Sequence, residues 1–95
     1  MITLRWLFLV LLAHTATAAP VRVLLLSGQN NHDWKTTTPV LQETLAKGGY
    51  QVEVTERPDQ MTADSLKGIG VIVSNWNTFA KKNTVPDWPP AAREA

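Results

Sequence analysis

Two short polar clusters contain the residue types that could bind or transform a small molecule. The first runs from Ser27 to Trp34 (SGQNNHDW) and the second from Ser74 to Thr78 (SNWNT). Side-chain amides donate and accept hydrogen bonds, and tryptophan offers a flat apolar face, so together they suit a sugar. The residues predicted to bind such a ligand are Gln29, Asn30, Asn31, Asp33, Trp34, Asn75 and Trp76.

These side chains also have ordinary structural roles, and the sequence leaves both interpretations open. Asn30 and Asn31 are of a type favoured in turns because the side chain bonds the local backbone. An aromatic such as Trp34, at the junction of a loop and a helix, often packs over a sheet. Gly28 permits a tight turn but completes no phosphate-binding glycine motif, so no nucleotide site is predicted.

His32 is the candidate catalytic residue. An unperturbed imidazole titrates near neutral pH, so His32 could act as a general acid or base at the end of a strand. The alternative is a histidine that only caps or packs the loop. Because His32 and Asp33 are adjacent, they supply at most two of the three or four ligands that zinc needs, and no metal site is predicted. The sequence identifies no cofactor.

The first three elements after residue 20 follow from their hydrophobic patterns. Val21 to Ser27 (VRVLLLS) is typical of a central parallel strand that is covered on both faces. A helix is predicted to begin near Thr38 and Pro39, with Thr38 as N-cap, and to stop at Gly48-Gly49. Tyr50 to Thr55 alternates apolar and polar residues, which predicts a half-exposed strand nearer a sheet edge.

The second half of the chain continues this alternation. Residues 61 to 67 predict a short helix or turn, and Gly70 to Ser74 (GVIVS) predicts another strand. Asn75 to Asp87 is predicted to be a loop of a length that often has a function. A further helix is predicted to start at Pro89-Pro90, with Asp87 as its cap.

Strands that alternate with helices predict an α/β fold, a doubly wound and mostly parallel sheet of which about three strands are present. Open sheets of this kind bind ligands outside the carboxyl ends of their strands. Both polar clusters directly follow a predicted strand, so we expect them to lie at that edge.

The runs VRVLLLSGQNNHDWKTTTPVLQETLAKGGYQVEV and VIVSNWN resemble the start of a ThuA-like (trehalose utilisation) domain. The most specific part is the strand followed by H-D-W and T-T-P. That family is flavodoxin-like and similar in fold to the class I glutamine amidotransferases. The resemblance spans residues 21 to 95 and implies that residues 19 to 95 are the N-terminal part of a truncated domain. It also implies a role in carbohydrate metabolism, with a sugar or keto-sugar as ligand.

Three functions stay open, and with them the question of whether the protein is an enzyme. The first is an enzyme acting on a glycoside or keto-sugar, with His32 as acid or base. The second is a non-catalytic sugar-binding module. The third is an amidotransferase-type hydrolase, which would need a cysteine or serine nucleophile beyond residue 95, because the amidotransferase relatives place a nucleophilic cysteine at a later glycine-rich turn.

Residues 1 to 18 have the order of a cleavable signal peptide. Arg5 supplies the positive start, and the apolar run from Trp6 to Ala13 is far shorter than the roughly 20 residues of a membrane-spanning helix. Ala16 and Ala18 form an A-x-A cleavage site, so we expect a periplasmic or secreted protein without a stable membrane anchor. The absence of cysteine excludes a disulfide or a lipid-modified cysteine within these 95 residues.

The charge of the chain leaves a neutral or small ligand as the default partner. Its formal net charge is +1, and acidic and basic residues are interspersed without a basic stripe. Neither a nucleic acid nor an anionic membrane surface is therefore a predicted partner. The sequence leaves the oligomeric state open.

Overall fold

A computed structural model describes residues 18 to 95, so the predicted signal peptide lies outside the described residues except for Ala18. Three strands form one open sheet in the order β2-β1-β3, and both strand pairs are parallel. This confirms the predicted α/β class, and 2-1-3 is the order in which a flavodoxin-like sheet begins. The elements are β1 Arg22–Leu26, α1 Trp34–Lys47, β2 Gln51–Thr55, a 3-10 helix Pro58–Gln60, β3 Ile69–Ser74 and α2 Pro90–Glu94.

β1 is the central strand, as its apolar run predicted. Because side chains alternate along a strand, Val23 and Leu25 face one side of the sheet while Leu24 and Leu26 face the other. All four are buried. The side of Leu24 and Leu26 packs into a hydrophobic cluster whose other buried members are Met61, Trp76 and Ala92.

α1 begins before Thr38 and Pro39, so the predicted start of this helix was wrong. The helix starts at Trp34 with Asp33 as its N-cap residue, and Pro39 lies inside it. The Asp33 carbonyl accepts hydrogen bonds from the N–H groups of Thr36 (3.2 Å) and Thr37 (3.1 Å). Pro39 has no N–H to donate to the carbonyl four residues earlier, so α1 continues through this position with one backbone hydrogen bond missing.

The other end of α1 matches its predicted stop. Gly48 is the C-cap residue, and its N–H donates to the carbonyls of Thr44 and Leu45 at 3.1 Å each. Gly49 then has a φ of +92°, which reverses the chain toward β2. α1 contacts β2 and covers the sheet face that carries Val23, Leu25 and Ser27.

The crossover from β2 to β3 contains the 3-10 helix and a series of turns between residues 63 and 68, so the turn alternative is the one observed for residues 61 to 67. The long loop after β3 is also present. α2 starts at Pro90 with Pro89 at its N-cap position, so the prediction of Asp87 as cap was wrong. The Asp87 carboxylate instead pairs with Arg93.

None of the helices that the structure describes is long and apolar enough to cross a membrane.

Candidate functional site

The two polar clusters lie side by side at the carboxyl ends of β1 and β3. The chain runs from β1 to β2 on one side, then crosses to β3 on the other side, so the strand order reverses between β1 and β3. The Asn75 N–H donates to the Leu26 carbonyl and the Asn77 N–H donates to the Gln29 carbonyl, both at 2.9 Å. Ligands of open α/β sheets bind at such a reversal point, so this edge is the candidate site.

A hydrogen-bonded network joins β1, β3 and α1 at this edge. Asn30 Nδ2 donates to the Asn75 backbone carbonyl at 2.9 Å and to Asn75 Oδ1 at 3.2 Å. Asn75 Nδ2 in turn donates to the hydroxyls of Thr37 and Thr38 at 3.0 Å each. The Thr38 hydroxyl also bonds the buried Ser27 hydroxyl at 2.6 Å. These polar groups hold one another in place.

Gln29 is buried, and both the nitrogen and the oxygen of its side-chain amide form hydrogen bonds within the chain. Its Nε2 donates to the carbonyls of Asn77 and Val85 at 3.2 Å each. Its Oε1 accepts hydrogen bonds from the N–H groups of Thr84 and Val85 at 2.9 Å each. An amide has two donors and two lone pairs, so no polar atom of this side chain remains for a ligand. Gln29 positions the loop that follows β3.

Asn31 and Asn77 form the outer, accessible part of the site. Asn77 Nδ2 donates to Asn31 Oδ1 at 2.9 Å, and Asn77 Oδ1 accepts the Phe79 N–H at 3.0 Å. Asn31 is exposed, and none of the described residues accepts a hydrogen bond from its Nδ2. Sequence reasoning missed Asn77, although its residue type and its place in the second polar cluster could have identified it.

His32 is exposed beside this network. Its N–H donates to Asn30 Oδ1 at 2.7 Å, and its carbonyl accepts the Trp34 N–H at 3.0 Å. The imidazole ring has no hydrogen-bond partner among the described residues. Asp33 Oδ2 accepts the Thr36 hydroxyl at 2.7 Å, so this carboxylate bonds a side chain in the first turn of α1 and not the His32 ring. The acid or base role of His32 stays a prediction.

The two predicted tryptophans lie on opposite faces of the sheet. Trp34 is half-buried on the α1 side, and the Lys35 ammonium lies 5.6 Å from the centre of its ring. Trp76 is only 9% exposed and packs with Leu24 and Leu26 on the other side. Little of the Trp76 side chain is therefore accessible to a ligand.

Among residues 18 to 95, no three side chains of histidine, cysteine, aspartate or glutamate come together in a group that could hold a metal ion.

No family model matches the chain, and neither the curated proteins nor the solved structures contain a significant match to it. The ThuA-like resemblance therefore stays a prediction that rests on the quoted sequence runs. The geometry at the edge between β1 and β3 is the basis for the functional argument that follows.

Proposed function

We propose that the chain is an exported ThuA-like protein of carbohydrate metabolism that binds a sugar or keto-sugar where β1 and β3 end. The observation that carries the proposal is the network of amides and hydroxyls at the point where the strand order reverses. Its outer members, Asn31 and Asn77, remain accessible, and His32 lies next to them. The resemblance in residues 21 to 95 supports the choice of a sugar.

The chemistry of the network suits this ligand. A sugar hydroxyl both donates and accepts hydrogen bonds, and the amides of Asn31 and Asn77 can do the same. Asn30 is already held by its hydrogen bonds to Asn75, and Asn75 is held by Thr37 and Thr38. Less conformational entropy is lost on binding because the inner groups are ordered beforehand.

The first prediction concerns binding. Isothermal titration calorimetry of the purified protein with glucose, trehalose and a keto-glucoside should detect binding of at least one of these sugars. Asn31→Ala and Asn77→Ala should each weaken it about 5- to 30-fold, because one hydrogen bond contributes about 1–2 kcal/mol. Gln42→Ala removes an exposed amide from α1 and serves as the control, with unchanged affinity. Absence of binding to all three sugars would contradict the proposal.

The second prediction separates an enzyme from a binding module. If the protein transforms its sugar with His32 as acid or base, His32→Ala should lower turnover about 10²- to 10⁴-fold and leave sugar affinity and melting temperature unchanged. A wild-type protein that binds the sugar but forms no product over long incubation is a binding module. None of the described residues orients the His32 ring, and this observation favours the non-catalytic binding module. Equal turnover in wild type and His32→Ala would remove His32 from the mechanism.

The amidotransferase-type hydrolase stays the third candidate. Such a hydrolase needs a nucleophile, which the resemblance places beyond residue 95. Release of ammonia from glutamine by a protein that extends past residue 95, but not by residues 1 to 95 alone, would support this candidate over a sugar-specific function.

A further inference from the structure

A cavity lies next to the carboxyl end of β3, on the sheet face opposite α1. Its volume is about 390 Å³, which is within the usual range for small-molecule sites. Ser74 pairs with Leu26 in the sheet and so faces the same side as the core cluster of Trp76. The lining residues are Ser74, Trp76, Asp87, Trp88 and Arg93.

The charged groups of this cavity form a neutral pair. Arg93 donates a hydrogen bond to the Asp87 carboxylate, and the Trp88 N–H donates to the same carboxylate at 2.8 Å. The hydrogen bond from Arg93, followed by that from Trp88, lowers the pKa of Asp87 below its usual value. The carboxylate therefore stays ionised and the pair has no net charge. An uncharged ligand with several hydroxyls matches it better than an anion does.

The aromatic groups supply the complementary apolar surface. Trp88 is half-buried and Trp76 is buried, and both rings line the cavity. Trp76 Nε1 is buried without a hydrogen-bond partner, the one such side-chain atom among the described residues. Because buried indole N–H groups usually have a partner, a ligand oxygen or a water molecule that reached this atom would remove an energetic cost.

We propose that this cavity is a sugar subsite that takes one neutral pyranose ring, with Trp88 as its stacking surface. Arg93 and Asp87 hydrogen-bond the hydroxyls of the ring, and their charge balance selects neutral over acidic sugars. The inference rests on the proposed function and adds a second subsite to the same sheet edge, across the sheet from the network of Asn30 and Asn75.

Calorimetry with methyl glucoside as the neutral probe and glucuronic acid as the acidic probe tests this subsite. Trp88→Leu and Arg93→Met should each weaken methyl glucoside binding about tenfold. Asp87→Asn leaves the guanidinium unpaired, so it should increase the ratio of glucuronic acid affinity to methyl glucoside affinity at least threefold. Arg57→Met is the control, because Arg57 is exposed, pairs with a neighbouring aspartate, Asp59, outside the cavity, and should change neither affinity.

The outcomes separate this inference from the proposed function. If Asn77→Ala weakens methyl glucoside binding while Trp88→Leu and Arg93→Met do not, the cavity is not a subsite and the site between β1 and β3 stands. If the wild-type protein binds no sugar, both proposals fail. Arg93 is exposed, so Arg93→Met tests the inference even if Trp88→Leu impairs folding, which circular dichroism of each variant would reveal.

Discussion

The side-chain amide of Gln29 is enclosed by the backbone of the loop that connects β3 to α2. This loop has no regular hydrogen-bond ladder of its own, so its partly buried N–H and carbonyl groups need other partners. Gln29 satisfies four of them, at Asn77, Thr84 and Val85. One side chain therefore fixes the path of the loop that provides Asn77 on one side and Asp87 on the other.

The third prediction concerns this residue. Gln29→Ala should lower the free energy of unfolding by about 2–4 kcal/mol, because it leaves four partly buried backbone groups without partners. Gln60→Ala removes an exposed amide from the 3-10 helix and is the control, with a change below about 0.5 kcal/mol. Urea unfolding followed by tryptophan fluorescence measures both. Equal stability of the two variants would show that the loop holds its path without Gln29.

At the scale of elements, the turn after β1 determines where the first polar cluster begins. Gly28 has a φ of +98°, a conformation that residues with a Cβ rarely adopt. A Cβ built at this position would lie 2.7 Å from the Cβ of Glu56 and 3.1 Å from its Cα. The end of β1 and the segment after β2 therefore approach so closely that only glycine fits.

The fourth prediction compares two glycines that share a positive φ. Gly28→Ala should lower the free energy of unfolding by about 2–5 kcal/mol, since backbone strain and overpacking add together. Gly49→Ala has the same kind of backbone strain, but nothing lies within 4 Å of its new Cβ, so it should cost only about 1–2 kcal/mol. Thermal unfolding of both variants measures the difference. A larger loss for Gly49→Ala would contradict the importance of the contact with Glu56.

The sequence predicted the strands, because apolar runs are local patterns. It also predicted the sheet edge of the candidate site, because ligands of open α/β sheets bind at the carboxyl ends of the strands, which follows from topology alone. It did not predict the start of α1. Thr38 and Pro39 look like a helix start, yet the Thr38 hydroxyl bonds Ser27 and Asn75, which are distant in sequence. Gln29 was predicted to bind a ligand because its hydrogen-bond partners within the chain are also distant in sequence. They lie in an irregular loop, and no periodic pattern in the sequence predicts the path of such a loop.

At the scale of the whole molecule, the two outer strands of the sheet differ in their protection. No described strand pairs with the outer edge of either β2 or β3. α1 contacts β2, which contains the charged residue Glu53, whereas β3 has no charged residue. Val71 in β3 is 45% exposed. Uncharged, unpaired strand edges are sites where other chains pair, so β3 is the part of this chain that is most prone to self-association.

The fifth prediction follows from that edge. The purified chain should self-associate as its concentration rises, because pairing along β3 satisfies open backbone groups and covers Val71. Val71→Lys should shift the chain toward the monomer, since a charge on an edge strand opposes pairing. Val40→Lys places the same charge at a residue of α1 that is 60% exposed, so it changes the net charge equally but should leave self-association unchanged. Size-exclusion chromatography with light scattering over a hundredfold concentration range measures the mass of each variant. A wild-type chain that stays monomeric over this range and unfolds in one cooperative thermal transition would show that the edge of β3 is stable without a partner.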